Sequence, residues 1–309
     1  MDPYHKKSNS RVVVGTGLLL LLAFLAVIIV FFIFSALTPF LVGPCVAVVD
    51  VNVPLTVEGA PPSLLDPGYP GSGELAYTVE SLNERDDIGA VVFVFNSPGG
   101  SVVATGELYN AIKNLEKPKV SYFREVAASG AYYAATGTDY IVSDPNAITG
   151  SIGVVSTSME LSGLFDQLGI NVTTIKSGTN KDIGSPYRNM TSEEETILQN
   201  LIDDIYLEFR SVIIDNRGDK LNMAIFDEVT DGRILSGKQA YKAGLVDELG
   251  TKDDALMKAA ELANISAESP DDVRVCYVSS GYSEGGLFSM EGILHMLQLE
   301  SNSPSLNYK

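Results

Sequence analysis

Ser129 and Lys181 are the two residues in this chain whose types could do chemistry together. Ser129 lies in Ala127-Ala128-Ser129-Gly130-Ala131-Tyr132-Tyr133, and Lys181 in Gly178-Thr179-Asn180-Lys181-Asp182. A serine hydroxyl is a weak nucleophile until a base takes its proton. The chain holds two histidines, His5 before an apolar N-terminal run and His295 near the end, and neither stands near a serine motif in sequence. Lysine is the known substitute base. It serves only when neutral, which burial favours by penalising the ammonium form. The pair therefore implies acyl transfer to Ser129 followed by hydrolysis.

The surroundings add donors. Small residues flank Ser129 and leave room for a substrate backbone, and Gly130 offers an N–H at a helix start, where an oxyanion is stabilised. Asn96-Ser97-Pro98-Gly99-Gly100-Ser101 follows an apolar run, and the Gly99 and Gly100 N–H groups could bind a carbonyl oxygen or a peptide strand. Ser151, in Gly150-Ser151-Ile152-Gly153, could orient the lysine. Each feature taken singly has a plainer meaning: a helix N-cap for Ser129, a Pro-Gly turn for 98–100, a turn serine for Ser151 and a solvated lysine for Lys181.

The elements that must position these residues are legible in part. Residues 45–53 are valine-rich and read as a first strand. Residues 90–95 form a continuous apolar run, as in a strand buried on both faces. Leu108, Ile112 and Leu115 lie on one helix face, and 120–123 and 140–142 read as strands. A short helix is expected at 74–83 and another at 131–136. Residues 147–155 hold the Ser151 motif. Residues 191–214 predict a long helix, opened by the capping box Thr191-Ser192-Glu193-Glu194. A helix near 253–262 and a strand at 273–278 close the series, while 61–73, with four prolines and three glycines, reads as a loop. Alternating strands and helices predict an α/β domain with a mostly parallel sheet.

Residues 12–37 contain no charge over 26 positions, more than the ~20 needed to cross a bilayer. Lys6, Lys7 and Arg11 precede the run, and no lysine or arginine follows until Arg85, which places the N-terminus inside the cytoplasm and the rest outside. An uncleaved anchor at 12–37 is expected, with a cytoplasmic segment 1–11, a linker 38–44, a catalytic domain 45–280 and a tail 281–309. A net charge of −18 and a pI near 4.4 repel nucleic acid, so that class is set aside. Cys45 and Cys276 show no metal-ligand spacing. Two unpaired buried thiols are expected, with a disulfide as the alternative in an oxidising compartment. Asn171, Asn189 and Asn264 fit the glycosylation pattern and carry little weight.

Taken together, several ordered segments resemble the signal peptide peptidase A family. They are Asn-Ser-Pro-Gly-Gly-Ser at 96–101, Ala-Ala-Ser-Gly-x-Tyr-Tyr at 127–133, Thr-Gly-Ser-Ile-Gly-Val at 149–154, Lys-Ser-Gly-x-x-Lys-Asp at 176–182, Asp-Gly-Arg at 231–233 and Gly-Leu-Val-Asp-Glu-Leu-Gly at 244–250. The spacing of 52 residues between Ser129 and Lys181 is similar to that family; the stomatin-associated membrane proteases, the nearer alternative, have the two residues closer together. The resemblance implies Ser129 as nucleophile, Lys181 as general base, Ser151 as the hydroxyl that orients Lys181, and Gly130 with Gly100 and Gly99 as oxyanion or substrate-backbone donors. It implies a Clp-protease/crotonase-like fold, a homo-oligomeric ring, peptide substrates including cleaved signal peptides, and no metal or cofactor. Ala131 stands where a second glycine is usual and Asn180 where an aromatic is common. The tail motif at 302–308 resembles some bacterial members and is expected to lie as an added strand in a substrate groove. A silent peptide-binding scaffold and an acyl-CoA enzyme of the same fold are the more distant alternatives.

Overall fold

The computed structural model describes residues 24–32, 43–61 and 68–279. Strand β1 (Cys45–Val51) is followed by helix α1 (Ser72–Ser81), β2 (Ile88–Ser97), α2 (Val102–Asn114), β3 (Lys119–Ala128) and α3 (Gly130–Ala135). Next come β4 (Tyr140–Ser143), β5 (Ile148–Gly150), α4 (Ser162–Gln167) and the long α5 (Ser192–Arg217). The chain then forms α6 (Met223–Val229), β6 (Ile234–Ser236), α7 (Gly237–Ala243), β7 (Glu248–Leu249), α8 (Lys252–Leu262) and β8 (Val275–Val278).

The strands make one mixed sheet in the order β6-β5-β3-β2-β1-β8, parallel throughout except for the β5–β6 pair. The far edge of β3 is shared in succession. Residues 120–123 pair with β4, which continues to β7, and residues 126–128 pair with β5. The two partners meet near Arg124 and Glu125, where β3 is exposed. The expected mostly parallel α/β architecture is therefore observed.

Both faces of the central strands are covered, which explains their unbroken apolar runs. One face sends Val49, Val91, Phe93, Phe95 and Phe123 into a core shared with α1, α2 and α3. The other sends Val46, Val48, Val92, Val94 and Val120 against Ala255, Leu256 and Ala259 of α8. The predicted helix at 191–214 is α5, and Thr191 caps it as its sequence requires, its side chain accepting from the Glu194 N–H. α4, α6, α7, β6 and β7 were not expected; each has seven residues or fewer, too short to show a period.

The expectation of two free thiols is overturned. Cys45 and Cys276 form a disulfide, with their Cα atoms 6.0 Å apart. β8 pairs in parallel with β1, Val46 opposite Val275 and Ala47 opposite Cys276, so the two cysteines are diagonal neighbours on adjacent strands. That spacing is within disulfide reach.

Residues 24–32 of the expected anchor are helical. Among the described residues no helix is long and apolar enough to cross a membrane. The remainder of 12–37, both histidines, most of the 38–44 linker and the tail 281–309 lie outside the described residues.

Candidate active site

Ser129 sits at the junction of β3 and α3, and its backbone is strained. Its φ is +53° with ψ −124°, a region a residue with a Cβ rarely adopts. The bond that holds it there runs sideways: the Ser129 N–H donates to the Gly150 carbonyl at 2.9 Å. Ser129 occupies the N-cap position of α3, yet its hydroxyl makes no capping bond. Among the described residues that hydroxyl has no hydrogen-bond partner, and the residue is half-buried. The N-cap meaning open to the sequence thus fails on geometry.

The glycine turn after β2 lies against this junction. Leu55 clamps it, its N–H donating to the Gly99 carbonyl at 2.9 Å and its carbonyl accepting from the Ser101 N–H at 2.8 Å. A Cβ at Gly100 would meet the Leu55 oxygen at 1.8 Å, so the clamp demands glycine there. Gly99, with φ +91°, has no room either: a Cβ would stand 2.5 Å from the Gly130 nitrogen. Gly99 is not a spare donor, because its N–H goes to Ser97 Oγ at 3.2 Å. The Gly100 and Gly130 N–H groups do remain without acceptors among the described residues. A Cβ at Gly130 would lie 3.3 Å from the Gly100 nitrogen and 2.2 Å from Thr105 Oγ1, so all three groups crowd one point. Thr105 Oγ1 is itself unusual, the one buried side-chain polar atom among the described residues without a hydrogen bond.

Beside this point opens a pocket of about 250 Å³. Ser129, Gly130, Gly100 and Thr105 line one side, and Ile205, Glu208 and Phe209 of α5 the other. Tyr133 packs on Phe209, ring centroids 5.1 Å apart, and so joins α3 to α5. Burial, with the nearby Glu208 charge adding to it, pushes the Tyr133 phenol up to about 12.

The remaining motifs brace the junction. Ser151 follows Gly150, has φ +50°, and donates its N–H to the Arg233 carbonyl at 2.8 Å; the Asp-Gly-Arg turn thus supports the Ser151 turn. Tyr132 is buried and donates its hydroxyl to the Leu245 carbonyl at 2.9 Å, tying α3 to the 244–250 motif. Asp247 of that motif is held by Arg217 in a buried two-bond pair, 2.7 and 3.0 Å.

Lys181 lies between α4 and α5. It is exposed, in a turn over 178–184, and among the described residues its ammonium bonds to neither Ser129 nor Ser151. Its neighbour Asp182 is held by Arg188, which also grips Glu194 in the first turn of α5. Fifteen residues of helix, roughly 20 Å at 1.5 Å per residue, separate Glu194 from Phe209 beside Ser129. Arg188 thus ties the turn carrying Lys181 to the first turn of α5, whereas the Ser129 pocket is walled by Ile205, Glu208 and Phe209 from the middle of that helix onward.

Residues 111–266, half of the chain, match the sequence pattern described as peptidase family S49. The chain belongs to peptidase family S49. A candidate protease of Methanocaldococcus jannaschii is 45% identical over 190 residues, covering 61% of this chain and 60% of that protein. A candidate signal peptide peptidase SppA of Enterococcus faecium is 36% identical over 181 residues, 58% of this chain and 52% of that protein. This S49 chain thus aligns with little more than half the length of these relatives. A solved membrane-bound stomatin-specific protease aligns at 17% identity over 76% of this chain and 98% of its own, with a TM-score of 0.45. The resemblance to the signal peptide peptidase A family read from the motifs agrees with the S49 match.

Proposed function

We propose that this S49 protein is a membrane-anchored serine endopeptidase acting outside the cytoplasmic membrane on peptides, cleaved signal peptides among them. The observation that carries the reading is Ser129: on a strained strand-to-helix junction, its hydroxyl unbonded among the described residues, it lines one pocket with Gly100 and Gly130, whose N–H groups have no acceptor among those residues. Ser129 Oγ attacks the scissile carbonyl carbon while Lys181 takes its proton. The Gly100 and Gly130 N–H groups receive the developing oxyanion. The Lys181 ammonium then protonates the leaving amine, and water, deprotonated by the same lysine, hydrolyses the acyl-enzyme. Ser151 orients Lys181. No metal or organic cofactor enters these steps.

A lysine becomes a base where it is enclosed, and Lys181 is exposed in the single chain, on a turn tied to the start of α5. A ring of copies, each lending Lys181 to a neighbour's Ser129, supplies both proximity and burial. The stretch that would meet the neighbour is rich in exposed apolar side chains, with Val155 85% and Ile175 96% exposed and Met159 and Leu168 beside them in sequence. Two observations support the membrane reading. The helix at 24–32 leaves Phe24, Leu25, Val27, Ile29, Val30, Phe31 and Phe32 exposed, a surface suited to lipid. The Cys45–Cys276 disulfide suits an oxidising compartment. A Clp-protease/crotonase-like domain over 45–280 behind one anchor at 12–37 is the corresponding architecture.

The test uses the full chain in detergent or vesicles, with a quenched signal-peptide-like substrate and a fluorophosphonate probe for activated serines. Wild type cleaves the peptide and is labelled at Ser129; Ser129→Ala and Lys181→Ala do not cleave. An unlabelled, inactive wild type would favour a peptide-binding scaffold. Full activity in Lys181→Ala would remove the lysine from the mechanism.

A further inference from the structure

The turn carrying Lys181 has little regular structure to hold it. Its bonds within the backbone are short-range, Lys181 N–H to the Gly178 carbonyl at 3.3 Å and Ser185 N–H to the Asp182 carbonyl at 3.0 Å, and from further along the chain the Ser158 hydroxyl reaches the Gly184 carbonyl at 3.1 Å. Gly178 and Gly184 on either side have positive φ. A base that must meet a hydroxyl within hydrogen-bond reach needs firmer support than this.

Arg188 provides it. Nε donates to Asp182 Oδ2 at 3.0 Å and Nη2 to Asp182 Oδ1 at 2.6 Å. Nη1 donates to Glu194 Oε2 at 2.8 Å and Nη2 to Glu194 Oε1 at 2.5 Å. Nη1 reaches the Asn189 carbonyl as well, at 3.0 Å, so all five guanidinium N–H groups are used. Each carboxylate is anchored from behind. Lys176 donates to Asp182 Oδ1 at 2.5 Å, and the Thr191 N–H donates to Glu194 Oε2 at 3.0 Å. Asp182 is bonded to Lys181 through one peptide link, and Glu194 belongs to the helix whose later turns wall the Ser129 pocket.

We propose that Arg188 is a positioning residue for Lys181, locking the 178–184 turn to the start of α5 so that the lysine is presented at a fixed place on the protein. The proposal rests on Lys181 being the base. It requires the forked, planar cation: a lysine at 188 could meet one carboxylate at a time and would leave the other loose. Neither Arg188 nor its partners need touch substrate, so the effect falls on the chemical step rather than on binding.

The experiment compares wild type, Arg188→Ala, Arg188→Lys and Lys181→Ala as full chains, reading kcat, KM and thermal midpoint. Arg188→Ala should lose at least about tenfold in kcat with little change in KM, as misplacement of a catalytic group does. Added guanidinium at non-denaturing concentration should restore part of that loss in Arg188→Ala but none in Lys181→Ala, and Arg188→Lys should stay slow. Arg188→Gln takes the place of the alanine variant if that one does not fold. Wild-type kcat in a folded Arg188 variant overturns the proposal, as does a loss that follows the thermal midpoint and ignores guanidinium. If Lys181→Ala is active, the base assignment fails and this inference fails with it; if only the Arg188 variants are active, the base assignment stands alone.

Discussion

The Ser129 N–H donates to the Gly150 carbonyl at 2.9 Å, one step past the last register pair of β3 and β5. Both chains leave the sheet there through positive φ, Ser129 at +53° and Ser151 at +50°. One bond thus ties the junction carrying the candidate nucleophile to the turn carrying Ser151.

The crowding at Gly130 predicts a sharp penalty for any side chain. Gly130→Ala drives a Cβ to 2.2 Å from Thr105 Oγ1 and must shift α3 or Thr105. Fluorophosphonate labelling of Ser129 should slow by about tenfold or more, since a displaced donor loses its aim at the oxyanion. Adding Thr105→Ala should return part of the rate. A double variant as slow as the single one would show that the clash is not the cause.

The proposed lending of Lys181 to a neighbour's Ser129 predicts complementation. Ser129→Ala and Lys181→Ala chains, each inactive alone, should regain peptide cleavage when unfolded together and refolded as mixed oligomers. A mixture as silent as its components would mean that each site takes both residues from one chain.

Breaking the disulfide should loosen the whole domain, because it joins β1 to β8 across 231 residues of sequence. Loss of such a bridge costs about 2–5 kcal/mol. Denaturant midpoints with and without reductant, and for Cys45→Ser with Cys276→Ser, measure it; equal midpoints would assign the bridge no stabilising role.

Arg217→Ala should be among the most damaging substitutions away from the pocket. Burial alone would raise the Asp247 pKa, but its bonds to Arg217 prevail and hold it below the ordinary carboxylate range. Removing the arginine leaves the buried carboxylate only the Lys220 ammonium at 2.9 Å and the Ile141 N–H at 2.8 Å, at a cost towards the low end of about 3–5 kcal/mol. Equilibrium unfolding at neutral pH gives the value.

Acid should release the Arg188 latch late. Arg188, then the Thr191 N–H, hold the Glu194 carboxyl down to about 2 from an ordinary 4.5. A depressed folded pKa contributes stability that is full above the unfolded value and is lost as pH falls through the folded one. Hydrogen-exchange protection at the start of α5, corrected for intrinsic rates, should therefore persist at pH 5 and decline between about 4.5 and 2. Loss already at pH 6 would contradict the latch.

Much of this was written locally. The valines of β1 declare a strand, the apolar run of β2 declares one buried on both faces, and the Thr191–Glu194 pair declares the start of α5. The order of short motifs is enough to pick out the family, because each is a backbone requirement: glycine at 100 where Leu55 must approach, glycine at 130 beside Thr105. Tertiary structure decided the rest. Ser129 could have been an ordinary N-cap until the β5 edge was seen to pull its backbone into positive φ. Gly99 could have been a donor until Ser97 Oγ took its N–H. Cys45 could not be paired from sequence, since its partner arrives only when the last strand adds to β1. Arg188 carried no sequence signal, because a surface arginine and a five-bond bridge look alike until the chain turns back on itself. Sequence determined which groups this protein possesses and the local geometry each demands; only packing over long separations decided which groups meet.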